Sequence, residues 1–400
     1  VAEAWRRIDA RLAPLAGRER LPVRSALDRT LAEAVVSPLN VPRHANAAMD
    51  GYALRVADLP ERGTRRLPVV GTAYAGRPFR GEVRSGECVR IMTGAVLPAG
   101  ADAVVMQERV TVGAEGVEVA AGLRAGENVR AAGEDLRAGQ TAVAAGRVLG
   151  PAELGLLASL GVAEVTVSAR PRVAFLSTGD ELRSPGEPLG EGQIYDSNRD
   201  TLFGMLTRAG VEPLDLGVVP DNPDALRTAL AAAAAGADVV VSSGGVSVGE
   251  ADLVKGTLAD LGEVELWRIA IKPGRPLAFG RIGEAWLFGL PGNPVAVMVT
   301  FYAFVQPALR RLMGQSSPFP QRFTVPCLSR LSKRTGRTEY QRGALRRDAS
   351  GRLAVDRTGP QGSGILSSVS SADCFIVLPP EQGPVEPGDL VEVEPFHGLM

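Results

Sequence analysis

The spacing of apolar positions changes character several times along this chain. Near the start, Trp5, Ile8, Leu12 and Leu15 recur at helical intervals, predicting that most of Ala2–Val36 is helical, with a second helical stretch over Val23–Val35 ended by Pro38 and Pro42. From Ala48 to about Arg130 the apolar runs are short and punctuated by glycine and proline, as in Leu67-Pro-Val-Val-Gly71, Glu87-Cys-Val-Arg-Ile91 and Ala103-Val-Val-Met106, which reads as a β-rich module. Residues 134–165 return to helix and turn, with Ala152–Leu160 bounded by Pro151 and Gly161. If that stretch packs back on the N-terminal helices, the β-rich module is an insertion.

From Arg172 onward, strands and helices alternate. Val173–Leu176, Pro213–Val219 and Val239–Val241 are apolar and strand-length, while Arg199–Ala209 and Pro223–Ala235 have helical character. That alternation predicts a mostly parallel α/β sheet covered by helices, which binds ligands beyond the carboxyl ends of its strands. Ser316-Ser-Pro-Phe-Pro320 reads as a linker, and residues 321–400 as strands with glycine turns, a small barrel or sandwich. The expected domains are 1–45 plus 134–168 (helical/mixed), 46–133 (inserted, β-rich), 169–315 (α/β) and 316–400 (β-barrel-like).

Composition narrows the class of function. Four hundred residues at 45% hydrophobic content support packed cores, and a net charge of −1 with both signs interspersed argues against nucleic acid or an anionic membrane as partner. The uncharged stretch Pro294–Leu309, which follows the Pro291-Gly-Asn turn, is too short to span a bilayer and contains Pro307. Cys88, Cys327 and Cys374 are scattered without paired metal-ligand spacing, which fits a reducing cytoplasm and no structural zinc. His44 and His397 are the only histidines, so histidine-based catalysis is not expected. No signal peptide is evident, and the Val1 start suggests that a short N-terminal piece precedes it. Lysine is rare, at positions 255, 272 and 333 only, so a lysine in a chemical setting is notable.

The segment from Ala237 to Asp252 couples the Val239–Val241 strand to a glycine-rich turn with exposed backbone donors, through Ser243, Gly244, Gly245, Ser247 and Gly249, and ends in Glu250 and Asp252. It points to a phosphate-bearing ligand, although carboxylates at a helix start also serve as caps. Thr178, Gly179, Asp180 and Glu181 follow another strand and could converge on a ligand, hold Mg²⁺ or cap a helix. Asp221 ends a third strand, where capping the next helix is an equal alternative. Lys272 and Arg275 sit in a proline-restricted loop suited to an oxyanion, or to a solvated turn. Pro291, Gly292, Asn293 and Pro294 join a strand to a helix start, leaving backbone donors for an anion. Asp50, Thr93 and Asp135 are polar points in apolar or glycine-rich settings, and Arg342 and Ser363 could bind an anion by guanidinium fork and hydroxyl.

Taken in order, Met49-Asp-Gly-Tyr52, Met92-Thr-Gly94, Gly133-Glu-Asp135, Thr178-Gly-Asp-Glu181, Ser243 to Asp252, Lys272-Pro-Gly-Arg-Pro276, Pro291-Gly-Asn-Pro294, Gln341-Arg-Gly343 and Gln361-Gly-Ser363 resemble the MoeA family of molybdopterin molybdenumtransferases, which includes the E domain of gephyrin. The resemblance implies an elongated homodimer of four-domain subunits, the α/β domain resembling the molybdopterin adenylyltransferases. It implies an enzyme that takes adenylylated molybdopterin from such an adenylyltransferase, inserts molybdenum from molybdate and releases AMP with Mg²⁺. Ser243, Gly244, Gly245 and Ser247 would then cradle the pterin phosphate, while Glu181, Asp221 and Asp252 organise Mg²⁺. Lys272, Arg275, Arg342 and Ser363 would hold molybdate. Asp50, Thr93 and Asp135 would contribute across the dimer interface to a site built around those carboxylates and Lys272. Arg275 replaces the lysine common in many members, and Ala296 stands where many have serine. An adenylyltransferase or a non-catalytic gephyrin-like scaffold is the alternative.

Overall fold

The structure, a computed structural model, describes residues 1–244 and 260–396. At its centre lies a six-stranded sheet. Its elements in chain order are β1 (Arg172–Thr178), α1 (Ser197–Arg208), β2 (Glu212–Val219), α2 (Pro223–Gly236), β3 (Val239–Ser243), β4 (Gly262–Arg268), β5 (Pro276–Ile282), β6 (Ala285–Leu290) and α3 (Pro294–Thr300). The order across the sheet is β2-β1-β3-β6-β5-β4, parallel from β2 to β6 and antiparallel for β5 and β4. The apolar runs of β1, β3 and β6 are buried along almost their whole length because the sheet is covered on both faces. One face packs Val173, Phe175, Val239, Val241 and Phe288 against α1 and the long helical segment that α3 begins, while the other packs Ala174, Leu176, Val240 and Leu287 against Leu226 and Leu230 of α2.

That segment runs from Pro294 to Leu312 with a widened π-type turn at Phe301–Val305, just before Pro307, whose ring nitrogen cannot donate to the preceding turn. No helix among the described residues is long and apolar enough to cross a membrane.

Two expectations for the N-terminal half are corrected. The helix covers only Ala2–Asp9, and its Trp5 and Ile8, with Leu12 beyond it, join the central core with Phe279 and Leu309 rather than the 134–168 segment. Val23–Val35 is not a helix: Val23–Ala26 is a single 3-10 turn, Leu27 is extended, and Asp28 has a φ of 60°. There the backbone donors of Asp28 and Leu31 go to the carbonyls of Leu149 and Arg147, so distant pairing replaces the helical ladder that the local spacing suggested. Residues 134–150 hold turns and the strand Thr141–Val143, and the helix there spans Pro151–Ser159.

The two flanks of the β-rich module meet. Arg18–Pro22 pairs with Glu164–Ser168, Val35–Val36 pairs with Thr141–Val143, and Val23, Ala26 and Leu31 share a core with Leu149, Leu157 and Val167. Between them, Gly51–Leu54 lies in a four-stranded sheet beside Cys88–Ile91 and Ala103–Met106, and the strand broken at Pro68 continues as Val69–Ala73. At the other end, β7 (Thr338–Arg347) pairs with Leu353–Arg357 and Cys374–Leu378, and a bridge from Cys327 to Val355 closes the sheet on itself around Ile376, Val391 and Val393. The C-terminal region is therefore barrel-like, as its glycine-punctuated strands predicted.

Candidate active site

Register across the parallel strands brings the polar motifs together. Ser177 pairs with Ser243 and Ser243 with Leu290, so β1, β3 and β6 end level with one another. Thr178 closes β1, and beyond the strand ends lie Gly179–Glu181, Gly244 and Pro291–Pro294, with Asp221 just past the end of β2. Gly244 donates its N–H to Leu290 O at 3.1 Å. With its φ at +87°, a Cβ there would lie 2.6 Å from Thr178 O and 2.9 Å from Thr178 Oγ1, so glycine is required for the two strand ends to approach.

Alternatives left open by the sequence narrow here. A short strand, Leu182–Arg183, follows Thr178–Glu181, so that motif caps no helix. The cap of α2 is Asn222, whose side chain accepts from the N–H groups of Asp224 and Ala225, and this leaves Asp221 to another role. Asp180 Oδ1 accepts the Asp221 N–H at 3.1 Å, tying the two loops together, while Glu181 and Asp221 are exposed. Among the described residues no group of three or more His, Cys, Asp or Glu side chains is gathered as a metal site. The proposed third carboxylate, Asp252, lies outside the described residues, as do Gly245, Ser247, Gly249 and Glu250.

Asn198 is a residue that the motif reading missed. Buried on the first turn of α1, it donates Nδ2 to Ser243 Oγ at 2.9 Å and to Gly292 O at 2.6 Å, stitching together the ends of β3 and β6. Asp196 caps that turn by accepting from the N–H groups of Asn198 and Arg199. The sequence carries the signal, an Asp followed by polar residues before the apolar helix face, but the apolar spacing alone predicts a start at Arg199. Ser177 Oγ, Thr178 Oγ1, Asp196 Oδ2 and Asn198 Oδ1 are buried without a hydrogen-bond partner among the described residues. Buried polar atoms at a strand-end cleft call for a polar ligand or water to complete them.

The basic loop is held from two sides. Ile271–Lys272 forms a short parallel strand against Thr338 and Glu339 of β7, and Lys272 Nζ lies 3.2 Å from Glu339 Oε2. Gly274, at φ +102°, sits so close to α3 that a Cβ would be 2.7 Å from Thr300 Cγ2. Arg275 is exposed. At the start of α3, Val295 N–H donates to Ser363 O at 3.0 Å, so one of the backbone donors expected to receive an anion is already engaged. The same bond brings Ser363 to the helix start.

Arg342 departs from its expected role. It is 1% exposed, and it donates Nε to Ser368 Oγ and Nη2 to the carbonyls of Pro360 and Gly362. Burial pulls the guanidinium down to about 10, still charged at neutral pH. Its geometry is that of a brace for the loop bearing Ser363, rather than of a fork open to an oxyanion.

Asp50 and Thr93 pair with each other in the β-rich module. Asp50 Oδ1 accepts from the Thr93 hydroxyl at 2.6 Å and from its N–H at 2.7 Å, which holds the carboxyl below its ordinary value. Asp135 is exposed, and its N–H donates to Val41 O at 2.9 Å. The thiols are not reactive groups: Cys88 and Cys374 are pushed up to about 12 by burial, and Cys327 is also raised.

Comparison with known proteins covers nearly the whole chain. Residues 1–161 match the MoeA N-terminal region (domain I and II), 174–311 a probable molybdopterin binding domain, and 324–396 the MoeA C-terminal region (domain IV). The molybdopterin molybdenumtransferase of Haemophilus influenzae is 46% identical over 384 residues, covering 96% of this chain and 95% of that protein. That of a Nostoc species is 38% identical over 364 residues, covering 89% and 83%. Two crystal structures of the molybdopterin biosynthesis MoeA protein from Pyrococcus horikoshii superpose with TM-scores of 0.80 and 0.85 at 32% and 28% identity, covering 99% of this chain in both cases and 98% and 99% of theirs.

Proposed function

Because this chain belongs to the MoeA family and is a molybdopterin molybdenumtransferase, we propose that it inserts molybdenum from molybdate into adenylylated molybdopterin, releasing AMP in a Mg²⁺-dependent step. The observation that carries this reading is the convergence at the strand ends: Gly244 against Thr178, Asn198 joining Ser243 to Gly292, and Glu181 and Asp221 beside them. Oxygen ligands of this kind suit Mg²⁺, which binds through one or two carboxylates together with substrate phosphates. Glu181 and Asp221, with Asp252, would hold it. When bound, the ion supplies Lewis-acid charge stabilisation at the phosphoanhydride.

The chain's own residues then divide the work. Ser243 and Gly244 begin the segment that would receive the pterin phosphate, with Gly245 and Ser247 outside the described residues, and Asn198 keeps the ends of β3 and β6 in register where that segment starts. Lys272 and Arg275 meet the tetrahedral dianion with charge-assisted hydrogen bonds, with the Ser363 hydroxyl at the start of α3. A second copy of the chain brings Asp50, Thr93 and Asp135 to the site, so the working unit is a homodimer. The protein acts in the cytoplasm on pterin supplied by a molybdopterin adenylyltransferase.

The test is AMP release from adenylylated molybdopterin with Mg²⁺, with and without molybdate. Release that rises with molybdate and stops on chelation of Mg²⁺ supports the reading. Failure to release AMP when both are present refutes it.

A further inference from the structure

The carboxylate facing Lys272 has no part in the scheme above. Glu339 lies on β7 with its side chain 3% exposed, while the Lys272 side chain is 48% exposed, and Nζ and Oε2 are 3.2 Å apart. The pair thus has a sealed end and an open end. A buried carboxylate needs partners to offset its lost hydration. Glu339 has them in Lys272 and in Gln341, whose Nε2 donates to Glu339 Oε2 at 3.3 Å and to Ser332 O at 3.0 Å. The nearby Lys333 does not need Glu339 as its hydrogen-bond acceptor, because its ammonium donates to the carbonyls of Arg334 and Arg337 at 2.9 and 2.8 Å.

Backbone geometry makes the pairing a fixed one. Lys272 and Glu339 are direct partners in the parallel bridge between the basic loop and β7. Beyond Lys272, the loop is seated on α3 through Gly274 and closed by Ile269 N–H donating to Arg275 O at 2.8 Å. The backbone is therefore held at both ends, and the flexible remainder is the four-carbon lysine stem. An ammonium has three donors. One directed at Glu339 sets the stem, which leaves two for a ligand on a side chain that is half exposed.

We propose that Glu339 is a positioning residue that aims the Lys272 ammonium at the molybdate oxyanion. Gln341 holds the carboxylate, and β7 thereby serves the oxyanion side of the site at two points, Glu339 toward Lys272 and Arg342 toward the Ser363 loop. This rests on the reading of Lys272 as an oxyanion ligand. The chemical reason is that a lysine without a fixed partner samples many rotamers, whereas a pre-set one binds its anion with less ordering.

The experiment uses the full chain with adenylylated molybdopterin and Mg²⁺, varying molybdate and following AMP release, with thermal unfolding of each variant alongside. Lys272→Ala is expected to raise the apparent KM for molybdate about tenfold or more, and Glu339→Gln, nearly isosteric, about three- to tenfold with kcat at saturating molybdate within about twofold. Glu339→Asp keeps the charge but withdraws it by a methylene, and should also raise KM. The double variant Lys272→Ala, Glu339→Gln should be no worse than Lys272→Ala alone, because the second change has nothing left to position. If Lys272→Ala raises KM while neither Glu339 variant does, the positioning role is wrong and the oxyanion role of Lys272 stands. Losses that multiply in the double variant likewise overturn it, since Glu339 would then act independently of Lys272. An unchanged KM in Lys272→Ala removes the oxyanion reading and the proposal with it.

Discussion

Replacing Gly244 by alanine tests the geometry of the strand-end cleft most directly. A Cβ at 244 would lie 2.6 Å from Thr178 O and 2.9 Å from Thr178 Oγ1, on a backbone at φ +87°. The left-handed conformation costs a non-glycine residue about 1–2 kcal/mol. The reduced freedom of the unfolded chain offsets about 0.4–1 kcal/mol of that. Forced overlap in a packed site typically adds about 1–3 kcal/mol, giving a net loss of about 1–4.5 kcal/mol. Gly210 supplies the control in the same domain, since its φ is +75° and a Cβ there meets nothing within 4 Å. Gly210→Ala therefore carries the conformational cost without the collision, about 0–1.5 kcal/mol. Denaturant unfolding followed by the fluorescence of Trp267 and Trp286, which lie in or against the central core, reads the difference. Because Thr178 and Gly244 belong to adjoining strand ends, relief of the clash must move one of them, so molybdate-dependent AMP release should fall about tenfold or more. Equal unfolding midpoints for the two variants would refute the reasoning.

Two further outcomes follow from the same site. Asn198→Asp puts an acceptor where Nδ2 now donates to Ser243 Oγ and Gly292 O; it should lose at least about 1–3 kcal/mol in the same unfolding assay, and a change below about 0.5 kcal/mol would remove Asn198 from its joining role. In Thr93→Val, Asp50 loses the hydroxyl that contributes most to its lowered pKa and keeps only the backbone donor, so its carboxyl should titrate at higher pH by carbon-detected NMR. Because the folded-state pKa is depressed, the stability from this contact is present above the unfolded value and lost as pH falls through the folded one. The gap between wild type and Thr93→Val should therefore close on acidification, and a pH-independent gap would count against the link.

The α/β centre was legible because its strands are buried on both faces: Val173–Leu176 and Val239–Val241 carry continuous apolar runs bounded by turn residues, a signal independent of their partners. The β4 and β5 strands, whose pairing is antiparallel, had no such marker of direction. The Val23–Val35 stretch misled for the opposite reason. Its spacing fits a helix, but its backbone groups bond to residues more than a hundred positions away, and tertiary pairing overrides a weak local preference.

By itself, then, the order of motifs pointed to the family and to residue types suited to an anionic ligand, and the alternation of apolar strands with helices pointed to the parallel core. Only the tertiary structure decided which of those side chains are available. Arg342 looked like an anion fork and is consumed within its own domain, while Asn198 and Glu339 went unremarked and stand at the joints of the site. The reason is that sequence records a side chain's chemistry, but burial and the positions of its partners determine whether its donors and charge face a ligand or the fold.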